Sequence, residues 1–297
     1  MTNTQFFTDS TADLPYDYIK EHNIRVIGLT YVIDGAEYMC TNTPDDPDCL
    51  SPQAFYARMR KGSTPTTALI NNQRFIDHFE PVLKEGRDVF YVAFSSGLSA
   101  SCQNAMVVGA ELMEKYPGRR VHVVDTLNAS LGEGMAMTLA IQKHEEGLSD
   151  EEVVAYFNQA QTKVHSWFTV DDLVYLKRGG RVSSASAIIG SVLNIKPVLY
   201  VNAEGKLIPH DKVQGRKREL KALVDQMEAT MAGGLTGDSV FIGHGDCEED
   251  AQLVAKMIKQ RFGIDVGIVN YITPIIGAHS GPGTVAVFYM GKEDRIA

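Results

Sequence analysis

The sequence predicts a two-domain α/β protein, with a parallel-sheet N-terminal domain over residues 1–163 and a mixed-sheet C-terminal α/β domain over residues 164–297. Two patterns carry this expectation. In the first half, three apolar strand-like runs each end in small hydroxylated residues and lead into a helical pattern. In the second half, strands and amphipathic helices alternate around one strand-turn-strand unit, which adds antiparallel pairing. A chain of 297 residues with 44% hydrophobic and 22% charged side chains has enough apolar material for two cores.

The three units of the first half are QFFTDSTADLP, DVFYVAFSSGLSASCQNAMVVGAELMEKY and RRVHVVDTLNASLGEGMAMTLAIQKHEEG. Continuous apolar strands such as VFYVAF suit a parallel sheet covered on both faces. Ligands of such sheets sit outside the carboxyl ends of the strands, which gathers Asp9, Ser10, Ser95, Ser96, Asp125 and Thr126 at one rim. Beyond Val164, VDDLVYLKRGGRVSSASAIIGSVLNIKP reads as a short helix, a basic glycine turn and an apolar helix stopped by Pro197. PVLYVNAEGKLIPHDKV reads as two strands about an Asn-Ala-Glu-Gly turn. KRELKALVDQMEATM and CEEDAQLVAKMIKQRFG read as helices, and SVFIGHG, DVGIVNY and GTVAVFYMG as strands.

A net charge of −9 and a pI near 5.4 disfavour bulk attraction to nucleic acid or to an anionic membrane. No apolar run approaches the roughly 18 residues of a membrane span, and the first residues lack a basic-then-apolar leader, which points to the cytosol. The four cysteines, Cys40, Cys49, Cys102 and Cys247, form no C-x-x-C pair and read as free thiols, and no zinc site is expected. Cys40 and Cys49 bracket TNTPDDPD and are spaced to close a small loop.

SSGLSAS reads either as a helix start capped by a serine or as an anion site, since free N–H groups at a helix N-terminus attract negative charge. His279, between an apolar PII and GPG, reads as a satisfied histidine or as a hydrogen-bond donor to an anion. His244 ends another strand and ranks below it. LKRGGR places Arg178 and Arg181 beside a glycine turn, either a solvated helix end or a docking element. KVQGRKREL divides the same way. MAMTLAIQ and AIIGSVLNI supply apolar helix, either plain core or the wall of a pocket.

Four ordered stretches, FTDSTADLP, SSGLSASCQNA, DDLVYLKRGGRVSSASAIIGSVLNIKPVL and PIIGAHSGPGTVAVFYMG, span nearly the whole chain and together resemble the DegV family, which includes fatty-acid-binding subunits of bacterial fatty acid kinases. That resemblance implies a long-chain fatty acid bound between two α/β domains, its tail in an apolar tunnel and its carboxylate held by hydroxyls and a histidine. It implies that a separate ATP-dependent kinase phosphorylates the bound carboxyl group, so that the chain needs no ATP site, cofactor or catalytic residue of its own. Matched by motif, the head-group candidates are Ser95, Ser96, one of Ser63 and Thr64, and His279 with Ser280; the kinase-docking candidates are Arg178 and Arg181. Neutral hydroxyls suit such a reaction, because an arginine fork would occupy both carboxylate oxygens. The sequence departs from the family pattern at Ala100, Ser101 and Cys102, in KGSTPTTALINNQRF, and in the longer CTNTPDDPDC loop.

Two other readings compete: a serine-dependent lipid or ester hydrolase, and a lipid storage or regulatory protein that works without a kinase. Residues 97–101 read GLSAS, so the G-x-S-x-G elbow of the first is missing. Neither G-x-x-x-x-G-K-[ST] nor G-x-G-x-x-G occurs, which disfavours a self-contained kinase or dinucleotide enzyme.

Overall fold

The computed structural model describes residues 3–44, 46, 48–182 and 195–296. The chain begins β1 (Thr4–Asp9), α1 (Tyr16–Glu21), β2 (Arg25–Ile27), β3 (Leu29–Ile33), β4 (Ala36–Cys40), α2 (Pro52–Arg60), β5 (Thr66–Thr67) and α3 (Asn72–Lys84). It continues through β6 (Asp88–Ala93), α4 (Ser101–Lys115), β7 (Val121–Asp125), α5 (Leu131–Glu145), α6 (Asp150–Ala160), β8 (Val164–Thr169), α7 (Val174–Arg178) and β9 (Ile195–Val201). The remaining elements are β10 (Leu207–Gln214), α8 (Arg216–Thr230), β11 (Val240–His244), α9 (Glu248–Phe262), β12 (Ile268–Tyr271), α10 (Pro274–Ser280) and β13 (Val285–Met290).

The three expected strand-to-helix units form a parallel sheet in the order β2-β1-β6-β7. Its central strand β6 is apolar without interruption because both faces are covered. Val89, Tyr91 and Ala93 pack with Phe75 and Phe79 of α3 and Ala105 and Val108 of α4. Phe90 and Val92 point the other way, into a core with Met135, Ala136 and Ala140 of α5. The carboxyl ends of β1, β6 and β7 share one rim, where the Ser96 N–H donates to Asp125 Oδ1 at 3.2 Å.

The second sheet runs β10-β9-β8-β13-β11-β12, and only β11 and β12 are parallel. One face packs Trp167, Val198, Val285 and Val287 against α8 and α9. The other turns Phe168, Leu199, Ala286 and Phe288 toward the core that contains α5. Helix α5 therefore lies between the two sheets, which explains why MAMTLAIQ is apolar on every side. Met135, Ala136 and Met137 are core residues and do not line the main cavity, so the pocket-wall reading of that segment does not hold. The other proposed wall, AIIGSVLNI, falls almost wholly outside the described residues. Pro197 stops no described helix; it lies within β9, opposite Lys212.

A third, antiparallel sheet, β4-β3-β5, was not expected from the sequence. Its signal is present: Asp34-Gly35, both at positive φ, is the dipeptide that favours a tight hairpin turn. β8 was likewise missed, and PIIGAHS forms the helix α10 where a glycine-rich turn was expected.

A buried carboxyl cluster ties the parallel sheet to α10. Asp13 accepts the Thr273 N–H at 2.9 Å and the Ser130 hydroxyl, and Asn270 Nδ2 donates to the Asp13 carbonyl at 2.8 Å. The single Thr11 hydroxyl lies 2.5 Å from Asp9 Oδ1 and 2.7 Å from Glu133 Oε2. It can donate to only one of them, so the other must hold a proton and donate back. Burial accordingly raises both carboxyls, and lifts Asp13 to about 7. An unfolded aspartate releases its proton near about pH 4, so the contribution of Asp13 to stability is complete below that value and is lost as pH rises through about 7. Asp13→Asn is therefore expected to flatten the fall in melting temperature between about pH 4 and pH 7. Thermal melts of the two chains across that range check this, and an unchanged slope would count against a buried, protonated Asp13.

Candidate functional site

A cavity of about 320 Å³ lies where the rim of the parallel sheet meets the inner face of the mixed sheet, within the usual size range of ligand pockets. Its wall is assembled from distant segments. Leu29 and Thr67–Leu69 come from the small sheet, Phe94 and Leu98–Ala100 from the serine turn, and Ala129 and Ser130 from the start of α5. Ser166, Phe168, Val201, Leu207, Ala286 and Phe288 come from the mixed sheet, Leu176 from α7, and Ile272, Ile275 and Ile276 from the approach to α10 and its first turn. Most of this surface is aliphatic or aromatic, as an acyl chain requires.

The polar groups concentrate around α10. His279 Nε2 and Thr67 Oγ1 share a hydrogen bond of 2.8 Å, which joins α10 to β5. Two polar atoms here are buried without a partner among the described residues, His279 Nδ1 and Ser280 Oγ. Buried polar atoms are nearly always satisfied, so orphans on a cavity wall mark where a ligand would complete the bonding. Burial, reinforced by the Arg181 guanidinium, pushes His279 down to about 4, so its imidazole is neutral at neutral pH. Gly179, after α7, packs so closely on the imidazole that a Cβ there would collide with it, and Gly281 approaches the Tyr175 ring at a φ of 82°. The glycines of LKRGGR and HSGPG thus let α7 close over His279.

The candidates divide on placement. His279, Ser280 and Arg181 line the cavity together. Ser63 is half-buried and Thr64 exposed, and neither reaches it; the hydroxyl of KGSTPTT that does is Thr67, because β5 turns that residue inward beside Tyr31. Ser95 is fully buried and serves as a latch: its hydroxyl donates to the Gly205 carbonyl at 2.9 Å and accepts from Gly97 N–H at 3.1 Å, fixing the serine turn to the β9–β10 hairpin. Ser96 is absent from the cavity wall, whereas Ser99 is on it, with its hydroxyl 3.0 Å from that of Ser101. Helix α4 begins after Ala100, which has no capping side chain, and the Ser99 hydroxyl instead accepts the Ser101 N–H at 3.2 Å, so the motif starts a helix with its serine one residue before the cap position. Of the three family departures, Ala100 meets the cavity, Ser101 accepts from Ile70 N–H at 3.1 Å, and Cys102 is in the core.

Arg181, expected at a docking face, lines the cavity beside the neutral donors. Its guanidinium is partly committed, through Nε to the Leu98 carbonyl at 3.3 Å and through Nη1 to the Gly179 carbonyl. Arg178 is exposed at the end of α7, its guanidinium 5.7 Å from the centre of the Tyr175 ring. In the second basic cluster, Arg216 is bound to Asp250, Glu219 and the Gly283 carbonyl, while Lys217 and Arg218 are exposed. His244 packs against Tyr271 with ring centres 4.3 Å apart and planes tilted by 52°, and does not line the cavity. The hydrolase alternative would need a serine bonded to a histidine, and on this wall the histidine is bonded to Thr67. Among the described residues no group of three or more His, Cys, Asp or Glu side chains is arranged to hold a metal, and no helix is long and apolar enough to cross a membrane.

Comparison with known proteins agrees with this architecture. A DegV domain-containing protein of Clostridium perfringens is 41% identical over 286 residues, covering 96% of each chain. A structure described as fatty acid binding of a DegV family protein from Thermus thermophilus matches with a TM-score of 0.84 at 30% identity, covering 97% of this chain and 99% of that one. A DegV lipid-binding protein from Thermotoga maritima also matches with a TM-score of 0.84, at 26% identity, covering 99% and 100%. The model for the DegV family, described as an uncharacterised protein family, matches residues 3–292, and with the shared fold and near-complete coverage it establishes that this chain belongs to the DegV family.

Proposed function

We propose that the protein binds one long-chain fatty acid, with the tail in the cavity between the sheets and the carboxylate at α10. The observation that carries this reading is a mostly apolar cavity in which Thr67, His279, Ser280 and Arg181 meet at α10 with two buried atoms unpartnered, while the wall hydroxyls of Ser130 and Ser166 donate to Asp13 and Asn128. Each methylene withdrawn from water contributes about 0.8 kcal/mol, so a long tail supplies on the order of 10 kcal/mol before association costs. The carboxylate, costly to bury alone, takes hydrogen bonds from the Ser280 hydroxyl and from His279 Nδ1–H, the tautomer set when Nε2 accepts the Thr67 hydroxyl, and lies near the positive charge of Arg181. The fatty acids bound by the Thermus relative support the ligand class. Titration with palmitate and with the matching fatty alcohol tests it: the acid is expected to bind at least about 10-fold more tightly, since only it meets charge-assisted donors. Equal affinities would refute the head-group assignment.

The same reading assigns the carboxylate to a separate kinase, which converts it to an acyl phosphate, and divides the domains at residues 163 and 164. Exposed Arg178 on α7, whose following Gly179 touches His279, supports a docking face coupled to the head group. Arg178→Ala is expected to lower acyl phosphate formation by a partner kinase by about 10-fold while the purified chain retains its lipid. Full turnover in that variant would remove Arg178 from the docking face.

A further inference from the structure

The Cys40–Cys49 loop lies outside the lipid cavity, and its two thiols are brought together by the fold. We propose that Cys40 and Cys49 form an oxidisable dithiol that a hydroperoxide converts to a disulfide, a modification site separate from the fatty-acid cavity. Cys40 ends β4 with 1% exposure, and Cys49 is half-buried. The Met39 N–H donates to the Asp48 carbonyl at 2.9 Å, so the residues preceding each cysteine are already joined across the base of the loop. The two thiols lie close enough to shift each other's protonation, while Cys40 Sγ donates to Asn42 Oδ1 at 3.5 Å and Cys49 Sγ to the Leu50 carbonyl at 3.4 Å. Both cysteines line a second cavity of about 600 Å³, bounded also by Asn42, Tyr271 and Pro274, through which a small oxidant can reach them.

These contacts assign roles to the two sulfurs. The neighbouring Cys40 thiol, with smaller help from Thr41 and Tyr31, holds Cys49 down at about 7 against its partial burial and the nearby Asp46 carboxylate. The same pairing, with burial, raises Cys40 well above its ordinary value. Cys102 and Cys247 are both pushed up to about 12, chiefly by burial. Cys49, the more exposed of the two sulfurs and the one whose thiol is held down, is the nucleophile. It attacks one peroxide oxygen, the O–O bond breaks, and the departing oxygen leaves as water after taking a proton, with Cys49 oxidised to the sulfenic acid. The Cys40 sulfur then attacks the Cys49 sulfur, the S–O bond breaks, a second water leaves with the Cys40 proton, and the disulfide forms. Two thiols and one hydrogen peroxide give one disulfide and two waters.

Stoichiometric hydrogen peroxide on the reduced full-length protein, followed by alkylation in denaturant and peptide mass spectrometry, tests this. The expected product is a Cys40–Cys49 cross-link, lighter by two hydrogen atoms and reversed by dithiothreitol, formed at least about 10-fold faster than Cys102 or Cys247 is consumed. In Cys40→Ser the sulfenic acid at Cys49 is expected to persist and to be captured by dimedone. Alkylation of both thiols after peroxide, equal loss of all four cysteines, or a folded Cys40→Ser chain that dimedone does not label would each overturn the proposal. If Cys40→Ser fails to fold, the cross-link in the native chain decides it alone.

Discussion

Replacing Thr67 with valine and Ser280 with alanine in one chain is expected to weaken fatty-acid binding by roughly 10²-fold or more, while leaving the affinity for the corresponding fatty alcohol within a few-fold of the native value. The argument is additive only in outline. A hydrogen bond to a charged group contributes about 1.5–3 kcal/mol; Ser280→Ala removes one, and Thr67→Val releases the tautomer that presents a second from His279 Nδ1–H, together at least about 3 kcal/mol, or two orders of magnitude. Thr67→Val also removes the partner of His279 Nε2, so the imidazole loses the contact that orients it. Ser280 Oγ has no partner among the described residues, so its loss costs the unliganded fold little. Affinities measured for acid and alcohol separate the head-group effect from a general collapse of the cavity. A double variant that binds palmitate as well as the native chain would move the carboxylate away from α10.

Filling the cavity from β13 is expected to have a comparable effect through the tail. Ala286 is 5% exposed, lines the cavity, and stands between Thr284, beside α10, and Phe288. A phenylalanine there would occupy part of the roughly 320 Å³ and shorten the space open to the chain. Excluding about four methylenes forfeits about 3 kcal/mol, close to a 10²-fold loss for long acids, with little change for acids short enough to end before the obstruction. Affinity against chain length is the measurement. Parallel loss at all lengths would mean that Ala286→Phe disturbs the sheet and not the tunnel, and no loss at any length would mean the tail runs elsewhere.

Much of the fold was legible because each signal was local. The strands QFFTD, VFYVA and VHVVD declared a doubly covered parallel sheet, and the Asn-Ala-Glu-Gly turn declared the β9–β10 hairpin. His279 and Ser280 entered as head-group candidates through the family motif, because the residues alone left His279 open between a satisfied histidine and a donor to an anion. What was not legible depends on long-range packing. Thr67 was passed over for Ser63 and Thr64 because β5 has two residues and no periodicity, and only its pairing with β3 turns Thr67 inward. Ser95 looked like a ligand because the hairpin tip that claims its hydroxyl lies 110 residues away. Arg181 looked like a surface residue because nothing local shows that α7 ends against the cavity. MAMTLAIQ stayed open between plain core and pocket wall because an all-apolar helix reads the same whether it faces a ligand or a second sheet.

The central claim is that the space between the two sheets is a fatty-acid site, and native mass spectrometry of the chain purified from cells without added detergent tests it most directly. The account expects one fatty acid per chain, released on denaturation and restored when palmitate is supplied to delipidated protein. A chain that carries no fatty acid and takes none up when palmitate is offered would contradict it.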